Sequence, residues 1–322
     1  KPMKIIRSLQ TSKKFTKDSV LIIGNLDGVH KGHQTIIKSA KKIAVKNNTY
    51  LGVLIFHPHP RAYFTKKNNF LITQLDQRIE ILKKQDVDYV IVMKFDKKIS
   101  SMSPKNFCDK ILKNGIQMNH IFVGSNFKFG KARSGDYKYL NSYGKKNNFK
   151  LTPIKLIKTS ANLAKKTNCK IYSSTNVRKL ISAGKPKHAK NLLGRSFVVE
   201  SKVEKGDQRG RTIKVPTANL NIDNYVKPKK GVYAVEVEIN RTNIKKKKYL
   251  GIANFGIRPT FNKKKAVLEV HIFNFNLNIY NSKVKVTFVD FLRDEKKFSG
   301  IEMLKRQVKS DILKAKKILS KL

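Results

Sequence analysis

From Val20 the chain reads VLIIGNLDGVHKGH. An apolar, β-branched run breaks at Gly24, turns through Asp27 and Gly28, and enters a segment holding His30, Gly32 and His33. A buried strand, a tight glycine turn and a helix entry, in that order, are how α/β proteins hold a phosphate at a helix N-terminus. The helix that should follow is legible over Gly32–Val45, where Ile36, Ile37, Ala40, Ile43 and Ala44 recur at helical spacing.

The rest of the first half alternates in the same way. Tyr50–Phe56 is a second buried strand, stopped by His57-Pro58-His59-Pro60, because proline cannot donate to a ladder. Asp76–Lys84 is expected to be helical, Tyr89–Phe95 a strand, and Ser103-Pro104 opens a helix with proline at its favoured first position. His120–Gly124 is a fourth strand, leading into a Gly- and Arg-containing loop over Asn126–Asp136. Such alternation predicts parallel strands with crossover helices and a ligand at the strands' carboxyl ends.

The pattern changes near Ile171. Ser173-Ser174-Thr175-Asn176 reads as a helix cap, Val177–Ala183 as a helix ending at Gly184, and Lys185–Leu193 as a short basic connection. Beyond it short alternating strands are expected at Ser196–Val203, Gly231–Ile239, Tyr249–Asn254, Ala266–Phe273 and Lys283–Phe291. Their turn-separated spacing points to a small antiparallel barrel or sandwich. An amphipathic helix over Glu302–Leu322 follows. The expected division is an α/β domain over 1–185 and an all-β domain over 186–322, in keeping with 322 residues being long for one core.

The formal net charge is +49, from 70 Lys and Arg against 21 Asp and Glu. Clustered cations bind polyanions, but these lysines are spread along the whole chain. Lys, Asn and Ile, all abundant, have A/T-rich codons, so base composition accounts for the excess without a specific nucleic-acid partner. The apolar stretches are strand-length, short of the roughly 20 residues of a membrane helix, and KPMKIIRSLQ has no signal-peptide core. A cytoplasmic protein is expected, with small molecules as its ligands, no membrane, and at most weak self-association. Cys108 and Cys169 lack metal or CxxC spacing and read as buried thiols.

A lone histidine at a helix start is ordinarily a cap or a packing residue. Three glycines and two histidines at this spacing after a strand favour instead a site where His30 and His33 donate to phosphates and to charge developing at phosphorus. In the second half, Gly206, Arg209, Gly210 and Arg211 form a basic, Gly-rich loop able to wrap phosphates, followed by Pro216-Thr217-Ala218-Asn219 as a rigid turn. Thr217 and Asn219 offer hard oxygens suited to Mg²⁺. Glu269 is a carboxylate on an otherwise apolar and aromatic strand.

GNLDGVHKGHQ resembles the HxGH signature of nucleotidyltransferases, in the form found in prokaryotic bifunctional riboflavin kinase/FAD synthetases. FHPHPRAYF (56–64), VGSNFKFGKARSGD (123–136) and SSTNVRKLISAG (173–184) resemble that family in the same order. So do GDQRGRTIKVPTANL (206–220), GVYAV, GIANFGIRPTF, LEVHIFNFNLNIYN and FLRDEKKF in the second half. The resemblance implies a Rossmann-like adenylyltransferase domain and a riboflavin kinase barrel, acting on riboflavin, FMN and ATP with Mg²⁺ to yield FMN and FAD. It implies that Gly24, Asn25, Asp27, Gly28, His30 and His33 surround the ATP phosphates. Asn126 and Arg133 would contact flavin or nucleotide, and Ser173, Ser174, Thr175 and Arg178 would clamp phosphates. For the kinase it implies Gly206, Arg209, Gly210, Arg211, Pro216 and Arg293 in ligand binding, Thr217 and Asn219 at the metal, and Glu269 as general base.

The chain departs from the family pattern at Leu26, His57, Ala62, Asn126 and Lys214. Lys214 stands where glycine is usual. If that position needs positive φ, lysine costs about 1 kcal/mol, and kinase activity with altered ATP affinity is expected. Two alternatives are weighed: a protein retaining only FAD synthesis, and a basic RNA-binding protein on a nucleotidyltransferase-like fold.

Overall fold

The computed structural model describes residues 2–205, 216–241, 247–259 and 264–322. The chain divides into two compact units, one of residues 1–67 and 74–159, the other of 68–73 and 160–322.

The first unit holds strands β1 (Lys4–Ile6), β2 (Val20–Ile23), β3 (Leu51–His57), β4 (Tyr89–Lys94), β5 (His120–Gly124), a small hairpin of β6 (Lys128–Phe129) and β7 (Gly135–Asp136), and β8 (Lys150–Ile154). Six of them form a parallel sheet in the order β1-β4-β3-β2-β5-β8. Both faces are covered. Leu21 and Ile23 of β2 pack into one core, and Val20 and Ile22 into the other. That two-sided burial is why these strands are apolar throughout rather than alternating. The chain leaves β2 to build β3 and β4 on one side, and returns to place β5 on the other. The crevice therefore opens where β2 and β5 end side by side, with Ile23 opposite Val123. The edge strands β1 and β8 were not among the four expected.

The second unit holds β9 (Val198–Glu204), β10 (Ala218–Asn221), β11 (Gly231–Asn240), β12 (Tyr249–Pro259), β13 (Lys264–Ile272) and β14 (Lys283–Asp294). They close a six-stranded antiparallel barrel in the order β10-β13-β12-β11-β14-β9. Inward residues such as Leu220, Val235, Phe255, Leu268, Val270 and Phe288 form its core. The helix Ile301–Leu319 lays Ala315 and Leu319 against outward-facing Val232, Ala234 and Ile252. The expected basic connection is instead a helix, Pro186–Leu193, with proline in its first turn. It and the helix Ser174–Ser182 share the barrel's core through Val177, Leu180, Ala189 and Leu192. By packing, residues 160–185 group with the second unit, together with 68–73. Pro216–Asn219 is likewise not a simple turn, since Ala218 and Asn219 open β10.

Four histidines, His57, His120, His188 and His271, have pKa values held below the ordinary 6.5, burial being the largest cause in each. At His57 the charges of Arg78 and Arg7 add to it. Below that value the unfolded chain binds protons that the folded one refuses, so stability is lost as pH falls through this window. The melting temperature is expected to drop from about pH 7 to about pH 5, by the same linkage. A flat or rising profile would contradict it.

Candidate active sites

The loop after β2 is held from several directions. Leu26, Gly28 and Val29 all have positive φ, at 45°, 81° and 38°. This backbone is costly for a branched residue such as valine. The Val29 amide donates to Leu26 O at 2.8 Å, and Gln34 Nε2 donates to Val29 O at 2.8 Å. Asn25 Oδ1 accepts from the Phe56 amide at 2.8 Å, tying the loop to β3. From the helix Leu75–Lys83, Arg78 donates to Asn25 O at 2.8 Å and reaches Asp27 Oδ1 at 3.3 Å. Both side chains of that ion pair are only 4 % exposed. Arg78 does not belong to any of the motifs above, yet its sequence position carries a signal. With Leu75, Ile79 and Leu82 it completes an i, i+3, i+4, i+7 stripe, and a charge in a buried stripe demands a partner.

His30 caps the helix Lys31–Lys46, its Nδ1 accepting from the His33 amide at 3.3 Å. With Nδ1 engaged as an acceptor, Nε2 is the ring nitrogen available to donate. The His33 ring stacks on it, centroids 3.6 Å apart. Capping thus uses only Nδ1 of the ring.

Register places the neighbouring loop alongside. Gly124 ends β5 next to β2, and exposed Asn126 follows it. Arg133, also exposed, lies in the β6–β7 hairpin with φ 59°. After β3, the segment carrying HPHP builds an aromatic cluster: Tyr63 and Phe64 meet Phe95 edge-on at 5.3 and 5.8 Å, and Phe56 joins at 5.8 Å. Phe64 remains 66 % exposed.

Ser173, Ser174, Thr175 and Arg178 belong to the second unit. Ser173 caps its helix through the Asn176 amide, and Arg178 Nε donates to Phe70 O at 2.7 Å while its guanidinium lies over the Phe70 ring.

In the barrel, the registers assemble one outward belt. Asn219 on β10 stands directly opposite Glu269 on β13, and Glu269 opposite Asn254 on β12. Asn254 then faces Val232, and Val232 faces Arg293. Opposed residues share a face of the sheet, so the expected metal ligand and the expected base are neighbours. A cavity of about 320 Å³ beside Thr217 and Asn219 is lined also by Val270, Ile272, Phe275 and Tyr280. His271 Nδ1 donates to Pro216 O at 2.9 Å and so fixes where β10 begins. Arg293, expected to contact ligand, commits its guanidinium to Asp311 on the C-terminal helix, with contacts of 2.8 to 3.0 Å. Asp311 is 1 % exposed and also accepts from Gln307. Gly206, Arg209, Gly210, Arg211 and Lys214 lie outside the described residues.

Residues 12–168 match the family model described as FAD synthetase, and residues 193–319 the model described as riboflavin kinase. The chain is 36 % identical over 318 residues to the bifunctional riboflavin kinase/FMN adenylyltransferase of Buchnera aphidicola subsp. Schizaphis graminum, covering 98 % of each. It is 35 % identical over 315 residues to the protein of that name from Haemophilus influenzae, again covering 98 % of each. In fold it is similar to a crystal structure described as a macrolide-efflux protein from Streptococcus pneumoniae, with a TM-score of 0.79 and 29 % identity over 97 % of this chain and 98 % of that one. Among the described residues no helix is long and apolar enough to cross a membrane. Matched by both models in this order, and by these relatives over nearly its full length, the chain belongs to the bifunctional riboflavin kinase/FMN adenylyltransferase family.

Proposed function

We infer that the chain phosphorylates riboflavin with ATP to give FMN, then adenylylates FMN with a second ATP to give FAD and pyrophosphate. Residues 1–185 carry the second step and 186–322 the first. The observation that supports this best is that each family-matched segment folds as its own scaffold, a parallel sheet and a closed barrel. The match to a riboflavin kinase over 193–319 does not favour a chain limited to FAD synthesis. RNA binding would need neither the histidine pair nor Glu269.

In adenylyl transfer an FMN phosphate oxygen attacks the α-phosphorus of ATP and pyrophosphate leaves. No protein nucleophile is required, so positioning and charge stabilisation carry the rate. Gly24, Asn25 and Gly28 form the turn under the phosphates. His30, through Nε2–H, and His33 donate to them. Arg78 neutralises Asp27, which would otherwise repel the polyphosphate, and holds the Asn25 carbonyl in place. Asn126 and Arg133 add donors from the next loop, and the exposed ring of Phe64 offers an apolar platform for the isoalloxazine. Arg78→Lys keeps the charge but loses the planar fork. It is expected to lower kcat/KM for FAD formation about tenfold with FMN formation unchanged. Equal loss in both steps would count against this role.

In the kinase step Glu269 takes the proton of the riboflavin 5′-hydroxyl, whose oxygen attacks the γ-phosphorus with ADP as leaving group. Thr217 and Asn219 supply neutral, hard oxygens that fit Mg²⁺, which usually keeps few protein ligands and shares substrate phosphates; a cation there would offset phosphate charge. Gly206, Arg209, Gly210, Arg211 and Pro216 are the residues the family resemblance assigns to phosphate binding. Incubation with riboflavin, ATP and Mg²⁺, followed by chromatographic separation of flavins, tests the reading. FMN and FAD should both accumulate, whereas FAD from supplied FMN with no FMN from riboflavin would remove the kinase half.

A further inference from the structure

Asn254 sits inside the belt that carries the kinase chemistry. It stands opposite Glu269 across β12 and β13, and Glu269 stands opposite Asn219. Opposed side chains have Cβ atoms about 5 Å apart on one face, so the Asn254 amide and the Glu269 carboxylate are neighbours. The Asn254 carbonyl oxygen, Oδ1, is buried and accepts no hydrogen bond among the described residues. A buried acceptor left unmatched is costly, and this one stands between Val232 of the packed cluster on one side and Glu269 on the other. Two acceptors side by side disfavour phosphate oxygens, which have no proton to give. They suit a pair of adjacent hydroxyls.

Resting on the reading of Glu269 as the base for the 5′-hydroxyl, we propose that Asn254 Oδ1 accepts a hydrogen bond from the neighbouring 4′-hydroxyl of the riboflavin ribityl chain. It is thereby a substrate-recognition residue of the kinase. The contact fixes the end of a flexible polyol so that the 5′-oxygen reaches Glu269, and it selects a polyol over a nucleotide at this point of the barrel.

The test compares riboflavin with 4′-deoxyriboflavin as kinase substrates, in the wild-type chain and in Asn254→Ala. The wild type should prefer riboflavin in kcat/KM by about tenfold. Asn254→Ala should lose about tenfold on riboflavin and bring the two flavins within about twofold of each other, by removal of that one bond. Its ATP KM and its melting temperature should stay near wild type. A variant that keeps the wild-type preference, or that loses activity on both flavins with the ratio preserved, would overturn the proposal. If the alanine variant does not fold, Asn254→Ser, whose shorter side chain draws the acceptor back, should show a reduced preference. An undiminished one would overturn the proposal equally. The base assignment is read separately: Glu269→Gln at wild-type FMN formation would remove it, while the 4′-hydroxyl preference still scores Asn254.

Discussion

Replacing His30 with alanine is expected to slow FAD formation sharply and to leave FMN formation intact. The effect expected on kcat is about 10²- to 10³-fold, the range for removing one preorganised donor from a site of developing negative charge. The geometry gives this variant two separable consequences. His30 Nδ1 caps the helix Lys31–Lys46 by accepting the His33 amide, so alanine also removes a cap worth about 1 kcal/mol of stability. Asparagine is among the best capping residues, and its short side chain does not carry a donor to the place of Nε2. His30→Asn should therefore restore the melting temperature while leaving FAD formation low. Recovery of both together would mean that His30 acts only through the helix start.

Replacing Glu269 with glutamine should do the converse, lowering FMN formation by about 10²- to 10⁴-fold, the span of general acid–base contributions. Gln is isosteric and keeps the strand's backbone pairing, so the barrel is expected to melt as the wild type does. FAD formation from supplied FMN should be unchanged. Loss of both activities would point to a barrel that no longer folds, and retention of kinase activity would remove Glu269 as the base. Asn219, directly opposite, offers a related comparison. Asn219→Ala is expected to shift the Mg²⁺ concentration for half-maximal FMN formation upward, which Glu269→Gln should not.

Much of the fold could be read from the chain because its central strands are buried on both faces. Residues 20–23, 51–56, 89–93 and 121–123 are apolar runs for that reason. The edge strands lacked the signal. β1 is three residues long, and β8 contains Pro153, tolerated because β8 is an edge strand of the sheet. Pro186 reads as a break in a basic linker, but proline in a first turn also starts a helix, and burial of Ala189, Leu192 and Leu193 decides for the helix. The PTAN segment reads as a turn because its role as a strand depends on partners in β9 and β13, far away in sequence.

The candidate sites divide in the same way. His30, His33, Asp27 and Glu269 stand out by residue type and spacing. Arg78 and Asn254 do not, since each is recognised by what faces it: a buried carboxylate for one, a neighbouring carboxylate and an unmatched acceptor for the other. Arg293 shows the reverse. A motif singles it out in the sequence, but its ion pair with Asp311 on the C-terminal helix depends on packing that the sequence does not display.

We propose that the chain holds two independent sites, so that FMN released by one can be used by the other. Mixing the His30→Ala and Glu269→Gln chains with riboflavin, ATP and Mg²⁺ tests it most directly. Alone, the first should accumulate FMN without FAD and the second should leave riboflavin unconverted. Together they should produce FAD, because FMN made by one is adenylylated by the other. A mixture that yields no FAD, from chains that each keep their remaining activity, would contradict it.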